Sequence, residues 1–187
     1  VFGRAGASAS VLKRSFKRVD VTAKSFFAIV DQGSCFTGSL FELALAADRA
    51  YMLEEEGVEI GLTAMNGGAY PMGNGLTRLQ TRFLAEPEAV EALKDRIGAP
   101  LEAEEADEAG LVTEILDDID WEDEIRIFLE ERASFSPDAM TGMEANLRFA
   151  GPETMETRIF GRLTAWQNWI FNRPNATGPD GALQRYG

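Results

Sequence analysis

The sequence predicts an α/β fold, with a short parallel sheet in its first part and a mostly helical second part. Short apolar runs that suit buried strands alternate with helical patterns over the first part of the chain. From residue 121 onward only helical patterns remain. Strands alternating with helices and followed by helices alone are typical of an α/β domain with a helical extension. We therefore expect a single domain over residues 1–187, with an α/β core over 1–120 and a helical part over 121–187.

The first elements follow from apolar spacing. A short amphipathic helix is predicted over residues 11–19. Its apolar side is formed by Val11, Leu12, Phe16 and Val19. Residues 25–30 are nearly all apolar, which is typical of a strand covered on both faces. A helix over 39–47 comes next, and further strands are predicted at 50–53, 58–62 and 111–115.

Between these strands the pattern is helical. Residues 66–74 (NGGAYPMGN) are rich in Gly and Pro and predict a loop. Helices are then predicted over 75–84, 87–98 and 101–109. Pro87 suits the first turn of its helix and Gly98 suits the end of it, because proline is tolerated at a helix start and glycine favours a helix stop.

The second part is predicted to contain three helices and a loop. The first runs over 121–134, the second from Pro137 to about residue 150, and the third over 152–171. In the third, an apolar stripe recurs at helical spacing and predicts a core-facing side. This stripe consists of Ile159, Leu163, Trp166 and Ile170. The tail over 172–187 is rich in Asn, Pro and Gly and predicts a loop.

Charge excludes several classes of partner. The chain has 187 residues, with 18 Lys and Arg against 31 Asp and Glu, and a formal net charge of −13. Nucleic acids and anionic membranes bind basic surfaces, so we expect neither as a partner. No segment is long and apolar enough to suggest a membrane span.

Two residue types that carry much catalytic and metal chemistry are rare or absent. There is no histidine, which removes Ser-His-Asp and Cys-His triads and His-ligated metals. Cys35 is the single cysteine, so an internal disulfide or a cysteine-based zinc site is excluded. We expect no metal, and the lack of disulfides predicts a reducing, cytoplasmic location.

Residues 26–48 (FFAIVDQGSCFTGSLFELALAAD) carry the strongest site signal. An apolar strand leads into a Gly-containing turn and then into a helix that is apolar except for Glu42. Backbone N–H groups at such a turn can hold developing negative charge. The pattern predicts an anion-binding turn with an acid or base beside it. The candidate turn residues are Gly33, Ser34, Cys35, Gly38 and Ser39.

Glu42 also has a structural interpretation. A carboxylate on a buried helix is costly unless it is paired or used in chemistry. It could pair with an arginine such as Arg49, Arg78 or Arg82 and take no part in a reaction. A second acid for paired acid/base chemistry is harder to find, since the acidic run over 54–59 is typical of a solvated turn.

Three ordered motifs resemble the crotonase (enoyl-CoA hydratase/isomerase) superfamily. The strand, Gly turn and Glu-Leu-Ala-Leu-Ala-x-Asp helix resemble its second signature. Residues 71–79 (PMGNGLTRL) are similar to its Pro-Gly-x-Gly-Gly-x-x-Arg-Leu loop and helix. Residues 101–112 (LEAEEADEAGLV) are similar to its A-x-x-A-x-x-x-GLV segment. The resemblance therefore implies a crotonase-like (ClpP/crotonase) fold, with the N-terminal strands of that fold expected before Val1.

The resemblance also implies a mode of action. Crotonases hold a thioester carbonyl between two backbone N–H groups, which stabilises enolate charge. By position, one donor would be the amide of Ser39 or of Gly38, and Glu42 would act as acid/base or position water. The loop near CoA would comprise Tyr70, Pro71, Gly73, Asn74 and Gly75. No cofactor is implied beyond coenzyme A as part of the substrate.

A narrower resemblance covers nearly the whole chain. The words WEDEIRI and AWQNWIF resemble the C-terminal half of unusually large crotonase-type enzymes of aerobic benzoate degradation. Those enzymes act as ring-cleaving CoA-thioester lyases or hydrolases on 2,3-epoxybenzoyl-CoA and release formate. The resemblance implies an acyl-CoA substrate, the N-terminal half of the same enzyme as a partner, and a homo-oligomer.

Departures from the family pattern leave alternatives open. The family's triple glycine is replaced by Gly38-Ser39-Leu40, and the second glutamate of hydratases falls on Ala64, which cannot transfer protons. The loop that supplies the first oxyanion donor is expected before Val1. The chain could thus be a degenerate scaffold half of the lyase, another crotonase-type hydratase or isomerase, or an interaction module built on its C-terminal aromatic residues.

Overall fold

The computed structural model describes residues 2–148, 151 and 153–185. Two compact units are found, the first formed by Val1–Val21 and Phe26–Glu122 and the second by Thr22–Ser25 and Asp123–Gly187. Each unit is described by itself below. The prediction of a single domain over 1–187 stays a prediction.

The first unit contains a short parallel sheet with helices. Its elements, in chain order, are α1 (Phe2–Asp20), β1 (Phe27–Val30), α2 (Phe41–Ala46), β2 (Arg49–Leu53), β3 (Ile60–Gly61), α3 (Arg78–Arg82), α4 (Pro87–Ala92), β4 (Pro100–Leu101), α5 (Ala103–Glu108) and β5 (Glu114–Leu116). Short 3₁₀ helices occupy Ala64–Gly67 and Leu93–Arg96. The predicted α/β class and short parallel sheet are therefore confirmed.

The sheet has the strand order β1-β2-β5, with both pairs parallel. Ala28 pairs with Ala50, and Met52 pairs with Ile115. The remaining strands β3 and β4 form a separate antiparallel pair. Parallel strands bring their carboxyl ends to one edge, so the segment after β1 lies where α/β proteins usually bind ligands.

The core of the first unit joins both sheets to the short helices. β1 and β2 contribute Val30 and Met52, and α2 contributes Phe41. The segment 101–112 supplies Leu101, Ala106 and Leu111, all of them buried. Burial of a side chain of this size stabilises a fold by roughly 1.5–3 kcal/mol. The family-like motifs thus coincide with the residues that build the core.

Helix α1 is longer than predicted and is buried differently. Phe16 is buried, but Val11 is 57% exposed and Leu12 is also exposed, so the predicted apolar side is wrong for these two residues. The helix contacts α2 near its own C-terminal end, where Phe16 and Asp20 are buried. Over residues 9–15 the side chains of the helix are exposed.

Several boundaries in the first unit differ from the prediction: Leu101 lies in β4 rather than in a helix, and the helix predicted over 87–98 divides into α4 and the 3₁₀ helix Leu93–Arg96. Helix α3 begins at Arg78 rather than at residue 75, because Thr77 caps it in a reciprocal arrangement with Gln80. The last strand lies at Glu114–Leu116 rather than at 111–115. Leu111 and Val112 are instead buried just before it.

The second unit is helical, as predicted, but the tail predicted as a loop over 172–187 contains two short helices. The unit contains most of α6 (Trp121–Ser134), then α7 (Pro137–Leu147), α8 (Thr164–Ile170) and α9 (Pro174–Thr177), with a π-helix at Thr157–Leu163 and a 3₁₀ helix at Ala182–Gln184. The bounds of α6 match the prediction. Helix α7 begins at Pro137 as predicted, capped by Ser136, while its predicted end at residue 150 and the predicted helix start at Pro152 lie outside the described residues.

The predicted apolar stripe of the last long helix is only partly buried. Leu163 is 54% exposed and Ile159 is also exposed, whereas Trp166 and Ile170 are half-buried and pack against Gly142. The π-helix explains the difference, because its wider turn moves residues before 164 out of line with those after it. Among the described residues, no helix is long and apolar enough to cross a membrane.

Candidate active site

The turn after β1 is held by its own side chains. The Asp31 N–H donates to Ser34 Oγ at 3.0 Å, and the Ser34 hydroxyl donates to Asp31 Oδ1 at 2.9 Å. Gly33 has φ +82°, a left-handed conformation that favours glycine. Cys35 follows with an exposed thiol. The three predicted turn residues thus lie at the carboxyl end of β1.

Gly38 is fixed by contact with strand β3. Its N–H donates to Gly61 O at 3.1 Å, and the Gly61 N–H donates to Phe36 O at 3.0 Å. Gly38 has φ +57°, and a Cβ there would lie 3.0 Å from Thr63 Oγ1. Both the conformation and the close approach require glycine at this position.

This arrangement separates the two predicted oxyanion donors. The Gly38 amide is already bonded to Gly61, so it is not free to donate to a ligand. The Ser39 N–H makes no hydrogen bond to a residue that the structure describes. The Ser39 hydroxyl is 2.9 Å from the Tyr70 hydroxyl. Of the two amides, Ser39 therefore remains as the candidate donor, and its role stays a prediction.

Glu42 lies in α2 with 2% of its surface exposed and with both carboxylate oxygens bonded. Oε1 accepts from Asn66 Nδ2 at 2.8 Å, and Oε2 accepts from Arg78 Nη1 at 2.7 Å. Burial raises the pKa of the Glu42 carboxyl above its ordinary value, while the hydrogen bonds from Asn66 and Arg78 oppose the rise. Of the three arginines considered from the sequence, Arg78 is the partner.

Arg78 joins two buried carboxylates. Its Nη2 donates to both Asp20 oxygens at 2.8 and 2.9 Å, and its Nη1 also donates to Tyr70 O at 3.0 Å. Its Nε has no partner among the described residues. The guanidinium lies 5.5 Å from the centre of the Phe16 ring. We call Asp20, Glu42, Asn66 and Arg78 the Arg78 cluster.

Two members of this cluster, Asp20 and Asn66, were not predicted from the sequence as site residues. Asp20 ends α1, where a carboxylate is unfavourable beside the negative end of the helix dipole, and that misplacement was a usable signal. Asn66 completes a capping box with Thr63, in which the Thr63 N–H donates to Asn66 Oδ1 at 2.9 Å. A Thr-x-x-Asn word could have indicated the cap, but not the bonds to α2.

The predicted CoA loop contacts the turn through Tyr70, which is buried and whose hydroxyl lies within hydrogen-bond distance of the Ser39 hydroxyl. Pro71 is half-buried, and the tip that follows, Gly73, Asn74 and Gly75, is exposed. The Met72 N–H donates to Leu76 O at 2.8 Å, and the Leu76 N–H donates to Asn74 Oδ1 at 3.1 Å. The loop is thus closed on itself and open to solvent, and contact with a ligand stays a prediction.

A cavity of about 140 Å³ lies beside the cluster and shares Asn66 with it. Its lining combines apolar side chains, such as Leu79 and Val90, with polar ones that include Lys94. Ser39 and Glu42 do not line it. Ala64, where hydratases carry a second glutamate, begins an exposed 3₁₀ turn. No group of three or more potential metal-ligating side chains is found among the described residues.

Taken together, the turn has one backbone N–H without a partner among the described residues, that of Ser39, and the second carboxylate of the Arg78 cluster, Asp20, is itself bound by Arg78. A backbone N–H in a fixed orientation is the kind of group that stabilises the charge of an enolate or tetrahedral oxygen. Glu42 is buried, and one hydrogen bond from Asn66 and one from Arg78 hold its two carboxylate oxygens in place. The site is thus better equipped for electrostatic stabilisation than for proton transfer.

Comparisons of sequence with known proteins agree with the resemblance carried by the three motifs. A family model described as enoyl-CoA hydratase/isomerase matches residues 6–168. Over 179 residues the chain is 56% identical to benzoyl-CoA-dihydrodiol lyase of Aromatoleum evansii. That match covers 95% of this chain and 32% of the relative, so the chain spans about a third of the relative's length.

Solved structures confirm the crotonase-like fold. An enoyl-CoA hydratase from Thermoplasma volcanium GSS1 matches 99% of this chain with a TM-score of 0.73 and 18% identity, over 68% of its own length. An enoyl-CoA hydratase/isomerase from Cupriavidus metallidurans CH34 matches 98% of this chain with a TM-score of 0.69 and 22% identity, over 66% of its own length. At these identities the likeness shows the fold alone.

Proposed function

The chain belongs to the enoyl-CoA hydratase/isomerase family, and on that premise we propose that it is part of a ring-cleaving CoA-thioester lyase of aerobic benzoate degradation. The proposed substrate is 2,3-epoxybenzoyl-CoA, which is hydrated and cleaved with release of formate. We expect no cofactor beyond the coenzyme A of the substrate, and a cytoplasmic homo-oligomer as the working form.

One observation carries this proposal. The chain is 56% identical to a benzoyl-CoA-dihydrodiol lyase over nearly its whole length, whereas the two hydratase-type structures compared with it are 18% and 22% identical. Ala64 also argues against a two-glutamate hydratase, because a methyl group cannot transfer a proton. The acyl-CoA chemistry of the family is thus retained, and ring cleavage is favoured over simple hydration.

In the proposed reaction the turn binds the thioester. The Ser39 N–H donates to the carbonyl oxygen as negative charge develops on it, and a second donor comes from the N-terminal half of the same enzyme. Loss of one such donor typically lowers kcat by roughly 10²–10³-fold. The loop from Tyr70 to Gly75 would lie near the CoA moiety, and the segment from Gly33 to Cys35 would border the acyl group.

The direct test is formate release by the full-length protein. Purified protein is mixed with 2,3-epoxybenzoyl-CoA, and formate is followed by NMR, with a short enoyl-CoA as the competing substrate. Formate release without hydration of the enoyl-CoA supports the proposal. No formate from a folded protein would contradict it, and turnover of the enoyl-CoA would favour the hydratase alternative.

A second candidate is a scaffold half without a catalytic acid. The hydrogen bonds to both Glu42 oxygens favour it, since they hold this buried carboxylate in a fixed position. Glu42→Gln in the full-length protein separates the two roles. A large loss of kcat in a variant of unchanged stability supports acid/base catalysis by Glu42, whereas lost stability with an unchanged rate supports the scaffold.

A further inference from the structure

We propose that Asn66 is a positioning residue that aims the Ser39 amide at the thioester oxygen. It does so by holding the carbonyl of the peptide to which that amide belongs. The inference rests on the proposed function for the identity of the ligand. The geometry of the peptide itself can be tested without it.

The peptide between Gly38 and Ser39 links the contact of Asn66 to the proposed donor. Its C=O belongs to Gly38 and its N–H to Ser39, and in a planar trans peptide these two groups point in opposite directions. No cis peptide bond is found among the described residues. Asn66 Nδ2 donates to Gly38 O at 2.9 Å. Fixing the carbonyl at one end of the plane therefore fixes the direction of the N–H at the other.

Asn66 can serve as this fixed point because its own orientation is determined. Its Oδ1 accepts from the Thr63 N–H at 2.9 Å, and its Nδ2 also donates to Glu42 Oε1 at 2.8 Å. A main-chain carbonyl and a carboxylate accept, whereas a main-chain N–H donates, so the side-chain amide cannot be rotated by half a turn. Asn66 is 2% exposed, which keeps water from replacing these bonds.

The same contact should also strengthen the donor. A hydrogen bond to a peptide carbonyl polarises the peptide, and its N–H then becomes a better donor. Asn66 is held in turn by Glu42, whose Oε1 accepts from Asn66 Nδ2 at 2.8 Å. Glu42 is itself held by Arg78, whose Nη1 donates to Glu42 Oε2 at 2.7 Å. Glu42 thereby acts on the turn through Asn66, without contact with the ligand.

The test observes the Ser39 amide directly in the full-length protein. Carbonyl-¹³C glycine combined with ¹⁵N-serine selects Gly-Ser peptides, of which this chain has Gly33-Ser34 and Gly38-Ser39. The two signals are assigned by their loss in Ser34→Ala and Ser39→Ala. Ser34 is an internal reference, because its N–H donates to Asp31 O at 3.0 Å without involving Asn66.

Asn66→Leu should move and broaden the Ser39 signal and leave the Ser34 signal in place. It should lower kcat by about 100-fold with little change in KM, the pattern of a lost transition-state contact. Asn146→Leu is the matched control, since Asn146 Nδ2 also donates to a glycine carbonyl, that of Gly142, at 2.7 Å. It should change neither signal nor kcat.

Asn66→Ala provides a second variant, which also cannot donate to Gly38 and inserts no larger or charged group, for the case in which Asn66→Leu does not fold. An unmoved Ser39 signal in a folded variant overturns the inference, as does a moved signal with unchanged kcat. If the Ser39 signal moves but the wild-type protein releases no formate, the orientation by Asn66 stands and the proposed function fails.

Discussion

The two units each contain a buried ionic cluster, and the residues at the centres of the two clusters have opposite charge. In the first unit, two carboxylates share the single guanidinium of Arg78. In the second, two guanidinium groups share one carboxylate, because Glu144 accepts from Arg132 Nη2 at 3.1 Å and from Arg148 Nη2 at 3.0 Å. The Arg132 Nε also donates to Ser25 Oγ at 2.6 Å.

The two clusters also differ in how exposed the residues around each centre are. Arg132 keeps 19% of its side chain exposed and can reach water if its partner is lost. Asp20 and Glu42 are short and almost fully buried, so neither can reach water without displacement of the helix that carries it. The stability of the first cluster therefore depends on Arg78, whereas in the second cluster Arg132 can turn towards solvent.

Removing the central residue of the first cluster should have the largest effect. Arg78→Met leaves two buried carboxylates unpaired, and we expect a loss of about 3–5 kcal/mol in the free energy of unfolding. Urea unfolding followed by circular dichroism measures it. Arg126→Met is the control, since Arg126 pairs with Asp123 and Glu130 on the exposed side of α6 and should change stability little. Equal losses in both variants would contradict the comparison.

Removing the central residue of the second cluster should have a smaller effect. Glu144→Gln keeps the size of the side chain but removes the charge shared by Arg132 and Arg148. We expect a loss of about 2 kcal/mol, because a charged hydrogen-bond partner is lost but one arginine can turn to solvent. The same unfolding experiment applies. A loss of unfolding free energy larger than that of Arg78→Met would show that the partial exposure of Arg132 does not lower the cost of removing its partner.

The hydroxyl of Ser39 provides a smaller test within the first unit. Ser39→Ala removes the hydrogen bond to Tyr70 but retains the main-chain N–H, so stability should fall by about 1 kcal/mol. The kcat for formate release should stay within a few-fold of the wild-type value, because the proposed donor is the amide. A loss of kcat comparable to that of Asn66→Leu would assign the chemistry to the side chain instead.

The pH dependence should be the most subtle difference between the units. Burial raises the pKa of Glu42 above its ordinary 4.5, so the stability contributed by its protonated form is present below that value and is lost as pH rises through the folded-state pKa. Hydrogen bonds from Asn175 and Arg173 lower the pKa of Asp138 in the second unit, so its contribution is present above its ordinary 3.8 and is lost as pH falls.

Glu42→Gln and Asp138→Asn compare these two slopes. Urea unfolding of each variant is measured between about pH 3 and pH 8 and set against the wild-type protein. Relative to wild type, Glu42→Gln should become more stable as pH rises, and Asp138→Asn should become less stable over the same direction. Parallel curves for Glu42→Gln and wild type would show that burial of Glu42 does not favour its protonated form.

The sequence predicted what depends on neighbours along the chain. Helix α6 matched in both bounds because its apolar spacing is regular and its ends are marked by local residues. The Arg78 cluster could not be predicted in the same way, since Arg78 and Asp20 are 58 positions apart and Asn66 and Glu42 are 24 apart. Pairing over such distances depends on the packing of α1, α2 and α3. The spacing of apolar residues along the chain predicts helices but not how they pack against one another.

Arg78 itself was one of three candidate partners of Glu42, and charge alone did not distinguish it from Arg49 and Arg82. In the structure Arg49 is exposed, while Arg82 donates through Nη2 to Val112 O at 3.1 Å. The π-helix at Thr157–Leu163 escaped prediction for another reason. Gly161 within it disfavours a helix but does not distinguish a π-helix from other interruptions, and the altered hydrogen bonding changes the register of the apolar stripe.

The two left-handed glycines of the turn should differ sharply in a saturation-mutagenesis scan. Around Gly33 no atom lies within 4 Å of a built Cβ, so asparagine or aspartate, which tolerate positive φ, should be accepted there. At Gly38 the Thr63 side chain occupies that space, and every other amino acid should be depleted. Tolerance of several residues at position 33 and of glycine alone at position 38 would thus show which part of the turn is packed against a neighbour. A scan scored by growth would be enough to measure this.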